Sequence, residues 1–171
     1  MSGAASMILA MLTGWLAHEL GHALALRLLG RGAAKQAWAC YGREEVFAAA
    51  AGPFMNLLLL GLARLVGWQS GFEANFVLAV VNMLPFLPLD GGKVLRGLLG
   101  GVFGWERLSR FLLLLGQAAA LAFCGVVYYF NLPRVQLLLA VWLYVLAWRE
   151  ERNLAVVAGV RRALSYNKEA K

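Results

Sequence analysis

From Phe111 to Phe130 the chain carries no charged residue. A run of that length matches the roughly 20 apolar residues with which an α-helix crosses a bilayer. In hydrocarbon every backbone N–H and C=O must be satisfied within the protein, so such a run folds as a helix. Similar segments run from Ala4 to Leu29, Val46 to Trp68, Phe72 to Leu84 and Val135 to Trp148, the last two being short for a full crossing. Hydrophobic residues make up 61% of the chain, against roughly 45–50% in soluble domains, and the mean hydropathy is +0.68. The expectation is an all-α polytopic membrane protein, a bundle of about five transmembrane helices.

The net charge is +7, but the basic residues sit in twos and threes between apolar runs. No long basic tract with interleaved aromatics is present, which argues against a nucleic-acid partner. If the segments alternate sides, every Lys and Arg except Arg64 and Arg134 falls on one side. The positive-inside rule makes that side, with the C-terminus, cytoplasmic. Residues 1–152 then form the transmembrane core and 153–171 a cytoplasmic basic tail, helical at or near the membrane surface. The same rule puts Met1 outside with no preceding anchor, as if an upstream helix belonged before it. Cys40 and Cys124 give no disulfide framework, and the N-terminus lacks the basic region of a signal peptide.

Inside the first apolar segment stands His18-Glu19-Leu20-Gly21-His22, and its histidines are the only two in the chain. Residues four apart share a helix face one turn apart. Both imidazoles can therefore reach one Zn²⁺, with Glu19 free to take a proton from the water that zinc activates. Gly14, Ala17, Gly21 and Ala25 recur at spacings of three and four, a row that lets another helix approach closely.

A hydrolytic zinc site needs three protein ligands and an open position. With no third histidine, the candidates are Glu44, Glu45, Glu73, Asp90, Glu106, Glu150, Glu151, Cys40 and Cys124. Most of the acids lie among interface charges, where solvation explains them. Asp90 follows Pro85-Phe86-Leu87-Pro88-Leu89 and precedes Gly91-Gly92. Irregular backbone at membrane depth is tolerated only against protein or a polar cavity, and an acid there is costly unless paired or metal-bound. Asp90 is thus the expected third ligand, carried by a Pro-broken segment.

Asn56 and Asn82 are amides in apolar segments. Each could hydrogen-bond a neighbouring helix, or contact substrate backbone or a tetrahedral oxyanion. Gln36 to Tyr41 could form a strand within a short β-hairpin over 36–45, able to pair with an extended substrate. Pro53, within the second segment, should bend its helix.

Taken together, the motifs resemble those of the site-2 protease family of intramembrane zinc metalloproteases, peptidase family M50. His18-Glu19-Leu20-Gly21-His22 resembles its catalytic motif. Asn82-Met83-Leu84-Pro85-Phe86-Leu87-Pro88-Leu89-Asp90-Gly91-Gly92 resembles its second motif, and Gly52-Pro53-Phe54-Met55-Asn56 a further element. The resemblance spans Leu9 to Arg152 and is greatest to the compact branch of the stage IV sporulation protease, which cleaves a membrane-associated pro-sigma factor. It implies Zn²⁺, a six-helix plan and a membrane-tethered protein substrate, with room for a membrane regulatory partner or a homo-oligomer. Against that branch, the expectation is a chain without its first helix and without room for the regulatory nucleotide-binding domain; a PDZ-like insertion is not expected either. The competing expectation is a non-catalytic metal-binding scaffold or transporter component, which would need the ligands but not Glu19.

Overall fold

The computed structural model describes residues 3–30, 42–131 and 135–169. Every regular element among them is an α-helix: α1 (Gly3–Leu28), α2 (Arg43–Leu65), α3 (Gln69–Asn82), α4 (Asp90–Phe103), α5 (Trp105–Tyr129) and α6 (Val135–Glu169). They divide into two compact units, Met1–Pro85 with Leu89–Leu98, and Phe86–Pro88 with Leu99–Lys171.

In the first unit α1, α2 and α3 each pack against the other two. The expected row of small residues makes this possible. A Cβ at Gly21 would lie 2.5 Å from the Ala51 carbonyl oxygen, and one at Gly14 would lie 2.8 Å from Leu78 Cδ1. Gly14, Gly21 and Ala25 are buried, while Leu12, Trp15, Leu16, Leu20 and Leu24 on the other side are exposed. Glycine thus brings α1 close to α2 at one level and to α3 at another, and the leucine face is the kind of surface that lipid covers.

At 23 residues, α2 is about 34 Å long, enough for a hydrocarbon core of about 30 Å. Gly42 precedes it at φ 59°, a left-handed backbone that glycine adopts without strain. Pro53 lies inside α2 and leaves the Ala49 carbonyl without its helical N–H partner. α3 has 14 residues, about 21 Å, and ends at Asn82. Residues 83–89 carry the chain to Asp90, the first residue of α4. A Cβ at Gly91 would run into the carbonyls of Met83 and Leu84, so the return of the chain there requires glycine.

In the second unit α5 packs along α6. Leu112, Leu113, Gly116 and Ala120 form the buried face of α5. The Leu87 N–H donates to the Leu112 carbonyl at 3.2 Å, which lays the Pro-flanked segment against α5.

Among the described residues, α2 and α5 are the helices long and apolar enough to cross a membrane; the sequence suggests about five crossings. α1 has 26 residues, but His18, Glu19 and His22 interrupt its apolar run. One other expectation changes. Of the hairpin over 36–45, residues 43–45 form the first turn of α2, and residues 36–41 lie outside the described residues. Glu44 and Glu45 suit a helix N-terminus, where acids meet the positive end of the helix dipole. The charges Arg149 to Arg152 end an apolar run but not a helix, since α6 continues to Glu169. Arg and Glu are good helix formers, and the Arg152 guanidinium lies 4.3 Å from the centre of the Trp148 ring.

Candidate metal centre

α1 presents His18 and His22 on one face, one turn apart, and the start of α4 places Asp90 opposite them. Asp90 Oδ2 lies 3.0 Å from His18 Nε2 and 3.2 Å from His22 Nε2. The two Nε2 atoms are 3.1 Å apart. These three side chains are the group that the described residues offer for holding a metal ion. His18 and Asp90 are buried and His22 half-buried, so the cluster opens on the His22 side.

The other ring nitrogens decide what the cluster can hold. His22 Nδ1 is 2.7 Å from the Ala48 carbonyl oxygen, which can only accept, so Nδ1 carries the proton. His18 Nδ1 is 2.7 Å from Asn56 Oδ1. Both amide hydrogens of Asn56 are already committed, to the Gly14 carbonyl at 3.0 Å and to Asn75 Oδ1 at 3.0 Å. Asn56 therefore turns its oxygen to His18, whose Nδ1 must donate. Both Nε2 atoms of the neutral rings then bring lone pairs to the cluster, and Asp90 brings a carboxylate oxygen. With both rings neutral, three electron-rich atoms converge at 3.0–3.2 Å, an arrangement suited to a cation.

The donor set fits zinc. Tetrahedral ligands about 2.0–2.2 Å from the ion are separated by about 3.3–3.5 Å, a few tenths of an ångström beyond the distances found here. Two imidazoles and one carboxylate leave the fourth position open.

Backbone shape secures the rings. A Cβ at Gly52 would strike both imidazoles, so glycine is what lets α2 pass so close behind them. Lys93 Nζ lies 2.9 Å from Asp90 Oδ1, which leaves Oδ2 turned to the histidines.

Of the residues singled out from the sequence, His18, His22 and Asp90 come together. Glu19 follows His18 on α1 and is exposed, with no hydrogen bond or ion pair among the described residues. Asn56 is fully buried behind His18, and its amide is wholly used within the bundle. Asn82 is half-buried at the end of α3 and donates one amide hydrogen to the Leu78 carbonyl at 3.0 Å. Glu45 and Glu73, candidate ligands by sequence, are engaged elsewhere: Glu45 by Arg96 and Glu73 by Gln69. Sequence reasoning passed over Asn75 and the Ala48 carbonyl. Asn75 had one available signal, an amide in an apolar segment like Asn56 and Asn82.

The fold is similar to that of the Site-2 Protease from Methanocaldococcus jannaschii. The TM-score is 0.71 at 18% sequence identity, covering 88% of this chain and 79% of that one. The sequence profile of Peptidase family M50 matches residues 60–124, a stretch that carries Asn75, Asn82 and Asp90. No curated protein matches the chain.

Proposed function

We propose that this chain is an intramembrane zinc metalloprotease of peptidase family M50, of the site-2 protease type. Its substrate is a membrane-tethered protein, cut in or near its transmembrane segment. The observation that carries the reading is the cluster itself, two imidazole lone pairs and a buried carboxylate oxygen converging beside Glu19. The profile over residues 60–124 and the fold likeness support it.

His18, His22 and Asp90 would hold Zn²⁺, which when bound polarises a carbonyl and lowers the pKa of water. Glu19 accepts the proton of the attacking water and returns it to the leaving amine, so one group serves as base and then as acid. Its exposed place next to His18 suits a group that must meet substrate. Asn82 keeps its amide oxygen and one N–H for the substrate backbone, while Asn56 positions His18. Asp90 stays turned to the histidines because Lys93 holds its other oxygen. A scaffold reading leaves Glu19 without a task.

The chain belongs in the cell membrane as a multi-pass protein, with the site toward the cytoplasm and residues 153–171 as a cytoplasmic tail. A tethered pro-sigma factor is the first substrate to try, from the motif resemblance to the sporulation branch, against a tethered anti-sigma factor.

The test uses wild type, Glu19→Gln and Asp90→Ala with each tethered substrate, measuring bound zinc and cleavage together. Glu19→Gln keeps zinc and loses cleavage by about 10²–10⁴-fold, the usual contribution of a general base. Asp90→Ala loses zinc. Undiminished cleavage by Glu19→Gln overturns the enzyme reading.

A further inference from the structure

Behind His18 runs a chain of buried amides that crosses all three helices of the first unit. Asn75, on α3, donates from Nδ2 to the Gly71 carbonyl at 2.8 Å. That bond fixes which end of its amide is oxygen, and Oδ1 accepts from Asn56 Nδ2 at 3.0 Å. Asn56, on α2, passes the polarity on through its own oxygen to His18 Nδ1, on α1, at 2.7 Å. Asn75 is 1% exposed and Asn56 0%. In such a place a polar group is retained only when fully satisfied, because an unmade bond costs its desolvation in full. Every donor and acceptor in this chain points one way.

We infer that Asn75 is a positioning residue of the metal centre: with the Gly14 carbonyl, it holds the Asn56 amide in the one orientation that keeps the His18 Nε2 lone pair in the cluster. α3 thereby belongs to the site although it supplies no ligand. Packing agrees, since a Cβ at Gly14 would lie 2.9 Å from Asn75 Oδ1, so glycine on α1 leaves the space the amide occupies. His22 is independent of this chain, because its Nδ1 donates to the Ala48 carbonyl. The consequence for zinc rests on the proposed metalloprotease reading; the orientation of His18 does not.

That independence supplies an internal control, since the two rings are the only histidines in the protein. Full-length protein labelled with ¹⁵N-histidine and loaded with zinc gives two Nδ1–H signals. Asn75→Leu keeps the volume but removes the acceptor, and Asn75→Asp keeps an oxygen facing Asn56. In Asn75→Leu the His18 Nδ1–H exchanges with solvent about fivefold to tenfold faster, as expected when one buried hydrogen bond is lost. The His22 signal stays, and Asn75→Asp restores that of His18. Zinc affinity, measured against a chelator, falls about fivefold in Asn75→Leu, less than the roughly 10–100-fold for a residue that touches a ligand directly. Because Asn75 acts through Asn56, Asn75→Leu has no further effect on zinc in an Asn56→Leu background.

An unchanged His18 signal in Asn75→Leu, a His22 signal that moves with it, or independent effects of the two substitutions would each overturn the inference. If wild type takes no zinc, the metalloprotease reading fails by itself, and the same two protons in the metal-free protein still decide the relay.

Discussion

The Arg96 guanidinium donates to Glu45 Oε1, its Nε at 2.7 Å, and ties α4 to the first turn of α2. Both side chains are 7% exposed. Arg96 lies six residues beyond Asp90 on the same helix, and Glu45 three residues before Ala48, the partner of His22. The pair therefore joins the helix that carries Asp90 to the helix that orients the His22 imidazole. Close by, a Cβ at Gly97 would meet Val46 Cγ2 at 2.7 Å, so the two helices touch at this level.

Removing one partner of such a pair leaves the other charge buried, at a cost of about 3–5 kcal/mol. Arg96→Leu and Glu45→Gln should each lower the thermal midpoint in detergent and weaken zinc binding. The double substitution to Leu and Gln should recover much of the stability, because no buried charge remains. A double variant as unstable as the sum of the singles would mean that the two residues are not coupled, and would overturn this reading.

Gly52→Ala separates the helix from the site. Alanine is the better helix former by about 1 kcal/mol, yet its Cβ would strike both imidazoles. Overpacking of this kind costs about 1–3 kcal/mol, and the rings are what must move. Zinc affinity, measured by chelator competition, should fall roughly tenfold or more, while helix content by circular dichroism stays at the wild-type level.

The His18–His22–Asp90 cluster was legible because its chemistry is tied to helical spacing. His18 and His22 sit four apart, and Asp90 stands out as an acid in an apolar, proline-broken stretch. What was illegible is burial and partnership. Glu45 and Arg96 read as solvated interface charges, since nothing in a linear chain says that residues 51 apart meet. Asn56 read as either a contact to a neighbouring helix or a substrate contact, because its three partners come from α1 and α3. The continuity of α6 was illegible for a different reason: charge marks where an apolar surface stops, and a helix needs no apolar surface to continue. The strand suggested by Gln36 to Tyr41 cannot extend to residue 45, because Arg43 already opens α2.

Gly91→Ala tests how Asp90 is delivered. The Cβ would collide with the carbonyls of Met83 and Leu84, and backbone cannot move aside as a flexible side chain does. The start of α4 should shift and carry the carboxylate away from the histidines. The expected result is loss of bound zinc at stoichiometric metal with α1 to α3 intact, read as near-normal helix content. Gly101, where an added Cβ would meet nothing within 4 Å, is the control. Gly101→Ala should bind zinc as wild type does.

The proposed topology rests on the charges and can be checked apart from the chemistry. All Lys and Arg but Arg64 and Arg134 fall on one side if α1, α2, α3, α5 and α6 each cross. Arg27, Arg31, Lys35 and Arg43 carry that bias together with Lys93 to Arg110, the cluster Arg149 to Arg152 and the basic tail. A reporter that is active only in the cytoplasm should work when fused after Lys171 and fail when inserted between Trp68 and Gln69. Replacing Arg149 and Arg152 with glutamine removes two of the charges that hold the end of α6 inside, and should lower the cytoplasmic signal. The opposite pattern, an active insertion at Trp68 and a silent C-terminal fusion, would invert the chain and put the open side of the His22 cluster toward the exterior half of the membrane.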